Sequence, residues 1–178
     1  MSIGPLGDYT IRLMSRLEVG ASARVEGPFG DFALARGAQT WVAAGIGITP
    51  FAAMAGTLKP DSGPVTLFYS VKDRSKAAHL SELEEIAAGN PNFELVLRET
   101  SSEARLNADV IVDKIGDFKG KHVLYCGPAA LRDVLWEGLR KHGLSARRFH
   151  FELFEIRTGV GLDKLFDYLV NRYKTREI

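Results

Sequence analysis

A single cysteine, Cys126, rules out an intramolecular disulfide framework and fits a reducing compartment. The four histidines, at 79, 122, 142 and 150, show no ligand spacing with cysteines or carboxylates, so no metal site is expected. Long apolar runs are missing as well. No stretch of about 18 apolar residues exists, and residues 1–20 lack a charged n-region followed by an apolar h-region. Neither a membrane span nor a signal peptide is expected. Charge of one sign is equally scarce: the net charge is +1, and the lysines and arginines are scattered without aromatic interleaving. Nucleic acid is therefore a poor partner.

What is present is an ordinary globular composition. With 178 residues, 46% of them hydrophobic and 25% charged, the chain has length for one domain, or for one domain plus a fragment. From Gln39 onward, short apolar runs alternate with helical periodicity, the signature of an α/β fold whose parallel sheet is covered on both faces. The expected strands are 40–44, 64–71, 93–98, 121–126 and 148–154, with helices at 49–58, 79–89, 107–115 and 129–142. Leu80, Leu83 and Ile86, then Leu131, Leu135 and Leu139, mark apolar stripes that read as core.

Residues 1–36 differ. "LGDYTIRLMSRL" reads as a short helix opened near Gly7, "SARVEG" as a strand and "GPFGDF" as a turn, too little to close a domain. Residues 158–178 read as a terminal amphipathic helix, with Leu162, Leu165, Phe166, Leu169 and Tyr173 on the face that packs on the body or on a partner.

The richest local signal is "AAGIGITP". A strand ends at Ala44, Gly45 and Gly47 reach backbone angles closed to other residues, and Pro50 suits the first turn of a helix with Thr49 as its N-cap. A helix N-terminus behind glycines suits a pyrophosphate. The dinucleotide fingerprint, however, asks for a third glycine where Pro50 stands and for an acid about 20 residues on, where Asp73 is flanked by Lys72 and Arg74. On spacing alone, a phosphate cradle and a plain tight corner both remain open.

Five motifs in order, "EGPFGDF", "GIGITP", "FYSVKDR", "LYCGP" and "FHFELF", resemble the ferredoxin-NADP reductase superfamily, particularly its ferric-reductase-like and oxygenase-reductase branches. The resemblance reaches to about Arg157. It implies a five-stranded parallel Rossmann-like nucleotide domain over 37–157, preceded in 1–36 by the last portion of an antiparallel flavin-binding barrel. It also implies hydride transfer from NADPH or NADH to FAD, and electrons passed to iron, haem or an iron–sulfur acceptor protein or domain.

Carried onto this chain, the resemblance assigns Gly45, Gly47, Thr49 and Pro50 to the pyrophosphate loop, and the proline becomes an expected feature. Cys126, Gly127 and Pro128 match the turn beside the nicotinamide, where the thiol positions the ring and is not a nucleophile. The alternative for Cys126 is a small buried residue closing a strand. Glu152 would lie near the reactive face and Phe154 would cover the flavin ring. The alternative is an alternating strand with Phe149, Phe151 and Leu153 on one face and Glu152 and Phe154 on the other. Arg98, with Ser70 and Arg74, would hold a 2′-phosphate and so favour NADPH, although Leu97 replaces the expected hydroxyl residue; the alternative is solvated loop charge. Thr10 in "GDYT" matches the hydroxyl that binds the FAD pyrophosphate.

A flavin barrel needs roughly 100 residues, and its flavin-ring motif is absent here. The chain alone is therefore expected to bind nicotinamide nucleotide and to bind FAD weakly or not at all. Ile3, Leu6, Ile11, Leu13, Leu17 and Val25, bared by a missing barrel, offer a patch for a homodimer. A cytoplasmic site follows, at a membrane only through a longer parent. The competing reading is a non-catalytic nucleotide-binding or interaction module that docks a partner subunit. A flavin-independent dehydrogenase would need a substrate domain for which no segment is long enough.

Overall fold

The computed structural model describes residues 3, 7–27, 32–59 and 61–152. Five strands, β1 (Gln39–Ala44), β2 (Val65–Val71), β3 (Phe93–Glu99), β4 (His122–Cys126) and β5 (Phe149–Glu152), form one all-parallel sheet in the order β3-β2-β1-β4-β5. Strands in such a sheet are buried on both sides, which is why "TWVAA" and "HVLYC" read as continuous apolar runs without alternation.

Helices α2 (Ile48–Ala55) and α3 (Leu80–Gly89) cover one face; α4 (Ala108–Ile115) and α5 (Ala129–Leu139) cover the other. The core is accordingly split in two by the sheet. Trp41, Leu67, Tyr69 and Cys126 pack with Phe51 and Leu83 on the α2 side, while Val42, Phe68, Val123 and Tyr125 pack with Ile111, Leu135 and Leu139 on the α5 side. Side chains alternating along a strand feed the two halves in turn.

Helix α1 (Gly7–Arg16) agrees with expectation. The strand expected in 22–27 does not form: these residues are exposed and take no regular structure. An isolated strand has no ladder to satisfy its N–H and C=O groups, and among the described residues none lies beside it to pair with. No remnant of a barrel sheet is therefore visible in the described residues. The expected continuation of β5 through Phe154, and the helix over 158–178, lie outside the described residues. Helix α5 stops at Leu139 and tightens into a 3-10 turn over Arg140–His142, closed by Gly143 at φ +88°.

At the N-terminal end of the sheet, His122 and His150 stack at 5.2 Å between ring centroids, with Nδ1 of His122 2.9 Å from Nε2 of His150. Arg148 Nη1 lies 2.9 Å from His122 Nε2. A guanidinium only donates, so His122 Nε2 accepts, its Nδ1 carries the proton, and both rings are neutral. Burial lowers both histidines below 6.5, helped by Arg148 at His122 and by His122 at His150. Groups whose folded pKa is depressed in this way take up protons more readily when unfolded. Their contribution is complete above about pH 6.5 and is lost as the pH falls below it. Thermal stability is expected to drop between pH 7 and 5, and His150→Gln should flatten that slope; an unchanged slope in the variant would refute the assignment.

Candidate functional site

In an open α/β sheet, ligands sit beyond the carboxyl ends of the strands where the strand order reverses. Here that point lies between β1 and β4. The two turns that follow these strands are the two glycine-bearing motifs.

After β1 the chain makes a 3-10 turn, Gly45–Gly47, and enters α2 directly. Gly45 sits at φ +55°, exposed, with open space where a Cβ would project. Gly47 is different: its backbone is ordinary, but a Cβ there would collide with the Cys126 carbonyl group and lie 3.1 Å from the Gly127 nitrogen. The missing side chain at Gly47 thus serves contact between the two turns, while at Gly45 the side-chain direction is open. Pro50 is the third residue of α2, inside the first turn, where its absent N–H costs no helical bond. Thr49 is not the N-cap. The tight 3-10 turn puts the N-cap at Gly47, two residues earlier, and the Thr49 hydroxyl donates to the Ile46 carbonyl at 3.0 Å.

β4 ends at Cys126, and Gly127 leads into Pro128, the N-cap of α5 in extended conformation. A Cβ on Gly127 would stand 2.8 Å from the Tyr125 hydroxyl and 2.9 Å from the Ala44 Cβ. Neither α2 nor α5 carries an acidic residue in its first turn. Two helix N-termini therefore meet at the switch point with their partial positive charge uncancelled, a setting suited to a bound anion.

Register sets the remaining candidates. Glu152 pairs with Cys126, and Cys126 with Ala43; one step further along, Ala44 pairs with Ser70 and Ser70 with Arg98. Cys126 is fully buried, and desolvation first, then Glu152, pushes its thiol up to about 12. It is a neutral thiol at physiological pH, unable to act as a nucleophile. Phe149 stacks on Trp136, and Arg132 covers the Phe151 ring at 4.8 Å, so these two phenylalanines share the α5 face and Glu152 takes the other.

Both arginines lie at the same end of the sheet but are held by carboxylates. Arg74 pairs with Glu84 and donates its backbone N–H to Glu99 at 2.7 Å; Arg98 pairs with Glu103 at 3.2 Å and donates to the Ala104 carbonyl. The Arg74–Glu84 pair, exposed on both sides, contributes roughly 0–1 kcal/mol, so a phosphate can exchange for that carboxylate, whereas Arg98 is part-buried and more firmly held. Thr10 lies in the first turn of α1, where Asp8 already places a negative charge. A flavin pyrophosphate is poorly served there, so the described residues do not fit FAD, whereas the two turns at the switch point do fit a dinucleotide. Phe154 lies outside the described residues.

Strand order and register gather Gly45, Gly47, Thr49, Pro50, Ser70, Cys126, Gly127, Pro128 and Glu152 at one end of the sheet. The acids that engage the arginines, Glu84, Glu99 and Glu103, went unrecognised, and so did Tyr125. Only their place in "RET" and "LYCGP" could have drawn attention to Glu99 and Tyr125.

A doubly wound sheet with two helix N-termini at its switch point defines a nucleotide-binding α/β domain. The family model described as "oxidoreductase NAD-binding domain" matches residues 41–135, more than half of the 178 residues. The chain belongs to this family, within the ferredoxin-NADP reductase superfamily. It is 35% identical over 144 residues to the heme-dependent oxidative N-demethylase beta subunit of Ectopseudomonas mendocina, covering 80% of this chain and 44% of that protein. It is 27% identical over 160 residues to an NADPH oxidoreductase of Mycobacterium tuberculosis, covering 85% and 41%. The chain thus spans less than half the length of these relatives. The fold is shared with the ferredoxin-NADP+ reductase of Plasmodium falciparum, with a TM-score of 0.69 at 20% identity over 83% of this chain and 65% of that one.

Proposed function

We propose that this chain is the nicotinamide-nucleotide-binding portion of a flavin-dependent reductase. In this reading NADPH binds across the switch point, with its pyrophosphate at the Gly45–Gly47 turn and its nicotinamide at the Cys126–Pro128 turn. Hydride passes to an FAD held by the remainder of the parent protein, and electrons continue to an iron, haem or iron–sulfur acceptor. The observation that carries the proposal is the meeting of the two turns at the switch point, where both helix N-termini lack first-turn acids. Ser70 and Arg98, adjacent in register, and Arg74 beyond β2 supply the hydroxyl and the cations that a 2′-phosphate requires. The bound cofactor supplies the hydride chemistry. The residues of this chain orient it, and the neutral Cys126 and the nearby Glu152 line the ring's position without covalent involvement.

Ile11, Leu17 and Val25 are 55%, 50% and 78% exposed, which supports covering by barrel strands of the parent or, in their absence, by a second copy of the chain. The reading places the protein in the cytoplasm, at a membrane face only if the parent is anchored. No helix among the described residues is long and apolar enough to cross a membrane.

At a hundredfold excess over its dissociation constant a ligand adds about 2.7 kcal/mol of stability, which for a chain of this length raises the melting temperature by roughly 5–10 °C. NADPH is expected to produce such a shift and NADH a smaller one; no shift with either would remove the proposal. The lack of any strand in 7–27 keeps a second reading in view, a non-catalytic module that docks a partner subunit. It predicts the same shift but a colourless sample inactive toward ferricyanide even with FAD added.

A further inference from the structure

Tyr125 is wholly buried between β4 and α5, yet its hydroxyl reaches past Gly127 to the carbonyl of Pro128 at 2.6 Å. That carbonyl also accepts the Leu131 and Arg132 amides at 3.1 and 3.2 Å, so one oxygen joins the β4 strand to the first turn of α5. The phenol runs close under Gly127, and the Cys126–Gly127 peptide is itself pressed against Gly47. The hydroxyl, the glycine that leaves room for it, and the second glycine across the crevice form one mechanical unit. A buried phenol needs an acceptor, and this one belongs to the N-cap residue of α5, in the turn that follows β4.

We propose that Tyr125 is a positioning residue: its hydroxyl sets the height of the Cys126–Pro128 turn, and through that turn the seat of the nicotinamide, without touching the nucleotide. The inference rests on the dinucleotide reading above and deepens it. Tyr125 sits on the α5 side of the sheet while Cys126 sits on the α2 side, so the turn is held from the face opposite its own thiol. Burial raises the phenol well above its usual range, which keeps it a donor at every working pH. Removing the hydroxyl leaves the Pro128 carbonyl with its two backbone donors, so no buried acceptor is orphaned and the fold is expected to survive.

The test compares the full chain with Tyr125→Phe. In the ligand-free protein, amide resonances of Gly47, of Gly127 and of Ala129 through Arg132 are expected to move while those of β2 and β3 stay. In titrations, NADPH and NADH affinities are expected to fall by roughly 3- to 10-fold, the range spanned by one net hydrogen bond. The corresponding ADP-ribose compounds, which lack the nicotinamide, should bind as before. A variant that weakens both ligand sets equally, or neither, overturns the proposal, because a general structural role would not separate them. If the wild-type chain binds none of these nucleotides, the dinucleotide reading itself fails, and this inference with it. Tyr125→Leu, lacking ring and hydroxyl, should reproduce the nucleotide pattern together with a lower melting temperature.

Discussion

Replacing Gly47 with alanine is expected to destabilise the ligand-free chain by about 3 kcal/mol or more, at the upper end of the usual overpacking cost. The added carbon would meet backbone, the carbonyl group of Cys126 and the Gly127 nitrogen, and not a side chain able to swing aside. Relief requires that one of the two turns move, and each is anchored by a central strand and a helix. The melting temperature should fall by roughly 6–12 °C on the scale for chains of this length. Gly45→Ala is the control. It meets open space and carries only the strain of a left-handed residue, about 1–2 kcal/mol. A calorimetric scan in which Gly47→Ala melts within a degree of the wild type would show that the two turns are not in contact.

The second large effect concerns binding. Gly45 stands at φ +55°, a conformation that asparagine and aspartate tolerate better than other residues, and its side-chain direction is open. Gly45→Asn and Gly45→Asp are nearly the same shape and differ by one charge. If a pyrophosphate lies at this turn, the aspartate opposes it at close range, an interaction of about 1–4 kcal/mol per charge pair at 4 Å between the water and near-surface dielectrics. NADPH affinity is expected to fall by roughly 10- to 100-fold for the aspartate and by no more than about threefold for the asparagine. The difference should shrink as salt is raised. Equal affinities in the two variants, measured by titration calorimetry, would place the phosphates elsewhere.

Much of the architecture was legible because buried parallel strands leave uninterrupted apolar runs, and because Pro50 and the leucine stripes mark helix faces. All five strands and the four helices between them lie where periodicity puts them, with shifts of at most three residues at the ends that the described residues contain. The misses have physical causes. A segment such as "SARVEG" has strand composition, but a strand exists only through its neighbours, and sequence does not say whether they are present. Thr49 looks like an N-cap by type, yet the 3-10 turn before it moves the helix start, something decided by how closely Gly47 approaches Cys126. Clustering of Gly45, Ser70, Cys126 and Glu152 follows from strand order, which local pattern does not encode. The glycines themselves were recognised while their separate duties were not: one faces the crevice, the other a neighbouring backbone. The ferredoxin-NADP reductase motifs supplied the family, and the sheet order agrees with it.

The contact between Gly47 and the Cys126–Gly127 peptide also says where this domain can be re-engineered. Backbone pressed on backbone leaves no side chain to exchange, so the middle of the crevice tolerates no editing. Its outer margin is held more loosely, Arg74 by the exposed Glu84 and Arg98 by Glu103 together with the Ala104 carbonyl. On the proposed dinucleotide reading, selection for a different coenzyme would therefore work on that margin while the centre stayed fixed.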